Sequence, residues 1–216
     1  MLRKLTFFLL LISGIAFAQD KQPLRLYVSG SINNYHNFSN QVDGIVSNSF
    51  PLSIEFNYNP RLSIGAMVYT GFFHTSVLTD RKYRGGQFNG GISHRINLKS
   101  TDVFGVYQLT HVVYGNYDVS YKVDQKRHTI YSQGYQVGLL LGAYHMMMSD
   151  YGKPLNVGFF IQTGFYQLNY TVSEYQIDNI EAPAGHINYD PIKALNFTIS
   201  LGVKVNLTKS KDNYKF

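Results

Sequence analysis

The chain has no cysteine and no tryptophan. Without cysteine there can be no disulfide, no thiolate metal ligand and no thiol for the anchor of a lipid-modified lipoprotein. Charge is also sparse: Asp, Glu, Lys and Arg make up 15% of the residues, against ~25% in ordinary soluble proteins. No His, Asp and Glu fall at metal-ligand spacing and no glycine loop is built to cradle a phosphate, so neither a metal nor a cofactor is expected. Apolar runs of the ~20 residues that a spanning helix needs are missing. The run from Leu5 to Ile15 is too short; it follows Arg3 and Lys4 and precedes Ala16-Phe17-Ala18. That is the pattern of a cleavable export signal, expected to occupy residues 1–18. The net charge of +6 becomes +4 once Arg3 and Lys4 are subtracted (6 − 2). So mild an excess, placed mostly in connections and tail, fits a solvated rim near headgroups rather than nucleic-acid binding.

What is abundant is alternation. Leu195 to Leu207 reads Leu-Asn-Phe-Thr-Ile-Ser-Leu-Gly-Val-Lys-Val-Asn-Leu, apolar at every odd position and polar or glycine at every even one. Side chains of a β-strand alternate faces with a period of two, so this segment has one apolar and one polar face. At ~3.3 Å per residue and a tilt near ~40°, it crosses the ~25 Å apolar band of an outer membrane. Seven more such strands are expected, near residues 24–35, 47–57, 61–74, 85–98, 103–119, 130–146 and 155–172. In the fifth, Val112-Val113 sit side by side, which allows a bulge or a change of face. Long polar connections (His36–Gly44, Thr75–Arg84, Asp118–Thr129, Ser173–Pro191) alternate with short turns after the second, fourth and sixth strands. All six prolines (Pro23, Pro51, Pro60, Pro154, Pro183 and Pro191) fall at strand starts, turns or connections, as a closed hydrogen-bonded ladder requires. The expected fold is an all-β, eight-stranded antiparallel up-and-down transmembrane β-barrel over residues 19–207, with a short charged tail, 208–216.

Alternation alone does not say which face is outside. A secreted lipocalin-like binder would turn the same pattern inside out. The polar face decides in favour of the membrane. In a soluble barrel it would meet water and carry many charges, whereas here it is mostly Asn, Ser, Gln, Thr, Gly and Tyr. Arg25, Glu55, Arg95 and Lys204 are among its few charges, and they are assigned to the lumen. Tyr27, Tyr144 and Tyr166 share that parity. Tyr35, Tyr58, Tyr69, Tyr131 and Tyr151 lie near strand ends or turns, where aromatic girdles form.

These features together resemble the small eight-stranded outer-membrane barrels of the OmpA/OmpX type over nearly all of the chain beyond the signal. Leu201-Gly202-Val203-Lys204-Val205-Asn206-Leu207 looks like the closing strand that such proteins present to the barrel-assembly machinery, although here the tail Thr208–Phe216 follows it. The resemblance implies the outer membrane of a Gram-negative envelope as the location. It implies contact with outer-membrane lipid and lipopolysaccharide, and no particular activity.

Function is therefore weighed by class. The preferred reading is a structural or interaction protein, alone or beside a partner membrane protein, with the connections as contact surface and Tyr175, Ile177, Ile180 and Ile187 as apolar contacts in the last of them. A lipid A acyl-modifying enzyme needs a nucleophile and a base within hydrogen-bond reach; His74 with Ser76 is the better candidate, ahead of His36 with Ser39 and Ser93 with His94. A wide porin is disfavoured because eight strands enclose a bore that side chains fill. A narrow channel, or an accessory role in a secretion or transport assembly, stays open.

Overall fold

The computed structural model describes residues 24–35, 45–57, 61–75, 84–182 and 192–207. The expected signal, the tail, Ser76, Ile187, and the connections around His36 and Ser39 lie outside them. The described strands are β1 Leu24–Tyr35, β2 Ile45–Asn57, β3 Leu62–Thr75, β4 Arg84–Ser100, β5 Phe104–Val123, β6 Lys126–Met148, β7 Pro154–Ile177, β8 Ile180–Glu181 and β9 Ile192–Asn206. All pairings are antiparallel. β1 to β7 pair in sequence, β9 pairs with β7 and β1, and the ring of eight closes, with β8 attached only to β7. Closure leaves every strand of the ring with a neighbour on both sides, which is what permits strands in hydrocarbon. Pro51, expected at a strand start, instead stands within β2 opposite Tyr69 of β3, where the β1–β2 pairing is interrupted between Leu52 and Ser49.

Facing follows the alternation. Ile32, Phe72, Phe88 and Leu201 are each about 60% exposed (61, 62, 63 and 62%) on the outside, while Glu55, Asn89, Gln136 and Ser200 are wholly buried inside. An uninterrupted apolar belt of this kind is far larger than the patches a soluble monomer exposes. The belt is solvated by acyl chains, and the lipocalin-like alternative, which needs an apolar pocket and a wet exterior, does not fit. β5 runs through Val112-Val113 with no break in register on either side. Val112 faces out and Val113 faces in, so no bulge or change of face occurs there.

The connections differ most from expectation. Asp118–Thr129 is not a loop. β5 and β6 continue to a two-residue turn at Asp124-Gln125, with φ of 48° and 65°. Ser173–Pro191 likewise begins as strand: β7 continues to Ile177, turns at Asp178-Asn179 with φ of 53° and 67°, and returns as β8. Two consecutive residues of positive φ make the mirror-image turn whose twist suits a hairpin. A bulge in β7 at Ser173, the residue skipped between the pairs Tyr131↔Glu174 and Ser132↔Val172, reverses the parity beyond it. Tyr175 therefore points inward. The two hairpins are joined: Arg127 N–H donates to Asp178 Oδ1 (2.8 Å) and Asp178 N–H to the Arg127 carbonyl (2.7 Å).

Above the belt the polarity of the faces is inverted. On β5, Asp118 and Lys122 point away from the axis while Tyr117, Val119 and Tyr121 are buried on the inner side with Ile130, Tyr170, Val172 and Tyr175. The reason is the solvent outside: hydrocarbon around the belt, water above it. The apolar side chains go wherever water is not.

Candidate functional site

Among the described residues the lumen is the enclosed environment rich in polar groups, and each strand of the ring contributes its inward residues at a spacing of two. At the end with the short turns, which is the periplasmic end in outer-membrane barrels, Arg95 of β4 and Glu55 of β2 form a buried bidentate pair. Arg95 Nε donates to Glu55 Oε2 (2.7 Å) and Nη2 to Oε1 (2.8 Å). The Arg95 guanidinium is sandwiched between the Tyr27 and Tyr107 rings, at 4.0 and 3.8 Å from their centroids. Lys204 Nζ of β9 stands 3.3 Å over the Tyr144 ring. Charge is thus stabilised by one carboxylate and by the faces of three phenols.

Glycines make room for those phenols. β5 and β6 place Gly105 opposite Tyr144 and Tyr107 opposite Gly142. A Cβ on Gly142 would lie 2.4 Å from Tyr107 Cζ, and one on Gly105 would lie 2.4 Å from Tyr144 Cε1. Each ring thus lies flat over the bare backbone of its neighbour, an arrangement that compensates a strand glycine.

Arg25 of β1 faces the same compartment. It lies directly across from Glu55, yet the carboxylate pairs with Arg95 instead. Its Nε and Nη1 are buried without a hydrogen-bond partner. Farther up, Gln136 Oε1 accepts from the hydroxyls of Tyr69 and of Tyr117 (2.9 Å for the latter), and Tyr170 OH donates to Asn89 Oδ1 (3.0 Å). Tyr69 is therefore a lumen residue and not part of a girdle; it shares the parity of Met67, while its neighbour Val68 faces lipid. The exposed girdle near the loop end is Tyr114, Tyr131 and Tyr135.

Apolar side chains also enter the lumen. Met67, Leu109, Leu140, Met146 and Phe160 are buried there among the tyrosines. Their positions break the polar pattern of the inward face and were not readable as functional. What remains open beside Tyr27, Ser53, Met67, Arg95, Phe160 and Gln162 is a cavity of about 10 Å³, room for about one water molecule.

Of the enzyme candidate pairs, the described residues place only Ser93 with His94, and they do not bring these two together. Ser93 is buried in the lumen next to His111 across the ladder, while His94 is on the lipid side. His74 is the penultimate residue of β3, opposite Arg84, and Ser76 is outside the described residues. Of the proposed apolar contacts, Tyr175 is buried beneath the extension, Ile177 packs against the same cluster, and Ile180 is 73% exposed on β8. The burial of Tyr175 removes it from the contact surface. His128 Nδ1 bonds the Tyr175 hydroxyl, and its ring stacks on Tyr121 at 5.3 Å.

The sequence matches no protein-family model and no curated protein. Among solved structures, the chain is similar to Neisserial surface protein A (NspA), with 10% identity, a TM-score of 0.52, and coverage of 86% of this chain and 97% of that one. It is also similar to a major outer membrane protein from Thermus thermophilus, with 12% identity, a TM-score of 0.52, and coverage of 85% and 99%. The likeness is one of fold, and the fold is that of the small outer-membrane β-barrels.

Proposed function

We propose that this outer-membrane barrel is an anchor that carries a contact surface, and that the surface is the β-structured extension formed by β5, β6, β7 and β8. The observation that carries the reading is the pairing of a filled bore with a rigid projection. The cavity beside Tyr27 and Gln162 holds about one water, and Met67, Leu109, Leu140 and Phe160 fill the bore around it, so a wide channel is not supported. The extension has its own buried cluster, Tyr117 to Ala182, and presents Lys122, Arg127 and Ile180 outward. A projection with a dry interior holds its surface residues in fixed positions, which lowers the ordering cost of binding. The partner is another envelope protein or the polar part of lipopolysaccharide. Ser93 and His94 lie on opposite faces of β4, and Ser76 lies outside the described residues, so the described residues add nothing to the acyl-modifying alternative.

Photo-crosslinking in native outer membranes tests this. A benzophenone amino acid at Ile180 or Lys122 is expected to give a discrete adduct, and the same group at lipid-facing Leu139 is expected to give none of that mass. Absence of any adduct at both Ile180 and Lys122 would remove the extension as a contact surface.

A further inference from the structure

The periplasmic end of the lumen holds more basic groups than acidic ones. Arg25, Arg95 and Lys204 face it, and Glu55 is the one buried carboxylate among the described residues. Three basic side chains thus face one carboxylate. Each Glu55 oxygen accepts one N–H of Arg95, and among the described residues no ion pair joins Glu55 to Arg25 or Lys204. Arg95 keeps Nη1 buried and unpaired, although its side chain is only 1% exposed. Lys204 is 2% exposed and has only the face of Tyr144 against its ammonium. Arg25 keeps Nε and Nη1 buried and unpaired.

Taking a charge out of water is costly unless it is paired, and a ring face returns only part of that cost. The aromatic faces of Tyr27, Tyr107 and Tyr144 therefore offset only part of the cost, and they serve Arg95 and Lys204 rather than Arg25.

The unpaired donors are gathered, not scattered. Register sets Arg25 opposite Asn206 on β9 and Tyr27 opposite Lys204. Arg25 and Lys204 are thus diagonal neighbours on one face of a strand pair, at the ~7–8 Å spacing of such pairs. Glu55 lies on the other side of Arg25. Asn206 has a buried, unpaired side-chain oxygen in the same place. A half-turn of its amide, which exchanges oxygen and nitrogen at no cost in shape, adds another N–H donor. Arg25 is only half-buried, so the compartment opens toward the short-turn mouth.

We propose that this compartment is an anion site that takes one small inorganic oxyanion of the phosphate class from the periplasm, held chiefly by Arg25 and Lys204. An oxyanion suits it because guanidinium N–H groups direct hydrogen bonds to several oxygens at once, where a point acceptor uses one. The ion is free and not a lipid headgroup: the walls of the bore are polar and closed, and acyl chains cannot follow a headgroup inside.

The test is equilibrium dialysis of radiolabelled orthophosphate against the protein purified from outer membranes in nonionic detergent, at fixed ionic strength. Folding of each variant is checked by heat-modifiable migration on gels. The expected result is saturable uptake of about one phosphate per barrel. Affinity should fall at least tenfold in Arg25→Gln and in Lys204→Met. It should be kept within a few-fold in Arg25→Lys, and be unchanged in Lys153→Gln, which removes an exposed cation from a turn at the same end. Excess short-chain phosphatidylglycerol should leave the phosphate bound. Three results would overturn the assignment: no saturable uptake by the wild-type protein, equal loss in Lys153→Gln and Arg25→Gln, or displacement by the lipid. If Arg25→Gln and Lys204→Met fail to fold, the wild-type, Arg25→Lys and Lys153→Gln measurements still decide it.

Discussion

Removing the Glu55 carboxylate leaves the Arg95 guanidinium stranded between two phenol rings. Glu55→Leu should lower unfolding stability in lipid vesicles by about 3–5 kcal/mol, the cost of breaking a buried ion pair from one side. Adding Arg95→Met should recover most of that loss, because an apolar pair needs no counter-charge. Urea titration of both variants reads this directly, and equal losses in the single and double variants would mean that the pair is not coupled. Gly142→Ala acts on the same compartment from the wall. The added methyl would meet the Tyr107 ring at 2.4 Å, and overpacking of this kind costs about 1–3 kcal/mol. Tyr107 is also one of the two rings on Arg95. The shift should therefore be smaller in the Tyr107→Leu background, where the ring that the methyl meets is gone.

At the scale of the strand, the side facing hydrocarbon is the most sensitive. Leu139→Arg places a charge near the middle of the lipid face of β6 and should cost about 2–4 kcal/mol by urea titration in vesicles. Lys122→Gln on the extension should fall within about 0.5 kcal/mol, as an exposed change does. The belt strands were legible because one environment, lipid, selects apolar residues at every second position; Leu195 to Leu207 states the rule without an exception until the strand ends. The extensions of β5, β6 and β7 were not legible as strands, for two reasons. Water replaces hydrocarbon outside, so Val119, Tyr121 and Ile130 mark the inner face and the pattern changes sign. The bulge at Ser173 then shifts the parity of β7 by one, so a search for unbroken alternation stops at Val172. The turns Asp124-Gln125 and Asp178-Asn179 lack the glycine that usually announces a mirror-image turn. Asn179→Gly should be tolerated or stabilising. Asn179→Val should cost about 1–2 kcal/mol, since a branched side chain resists φ of 67°.

The whole molecule is a filled cylinder with an added storey. Among the charged residues that share the lumen, the sequence places Arg25, Glu55, Arg95 and Lys204 on inward parity. It does not show which cation secures the carboxylate, because that depends on strand tilt and on the rings of Tyr27 and Tyr107 between distant strands. Nor do single residues reveal that Met67, Leu140 and Phe160 close the bore, since inward apolar side chains interrupt the polar stripe. In planar bilayers the purified protein should show no steady conductance of the porin kind, because Met67, Leu109, Leu140 and Phe160 fill the bore between the lumen tyrosines. The upper storey carries a consequence for the intact cell. Lys122, Lys126 and Arg127 flank a two-residue bend whose neighbours are held in a ladder and locked to the Asp178 bend. Trypsin must draw several residues of extended chain into its cleft, so these three basic sites should survive enzymatic shaving of living bacteria. They should become cleavable once Tyr175→Ala loosens the interior beneath them.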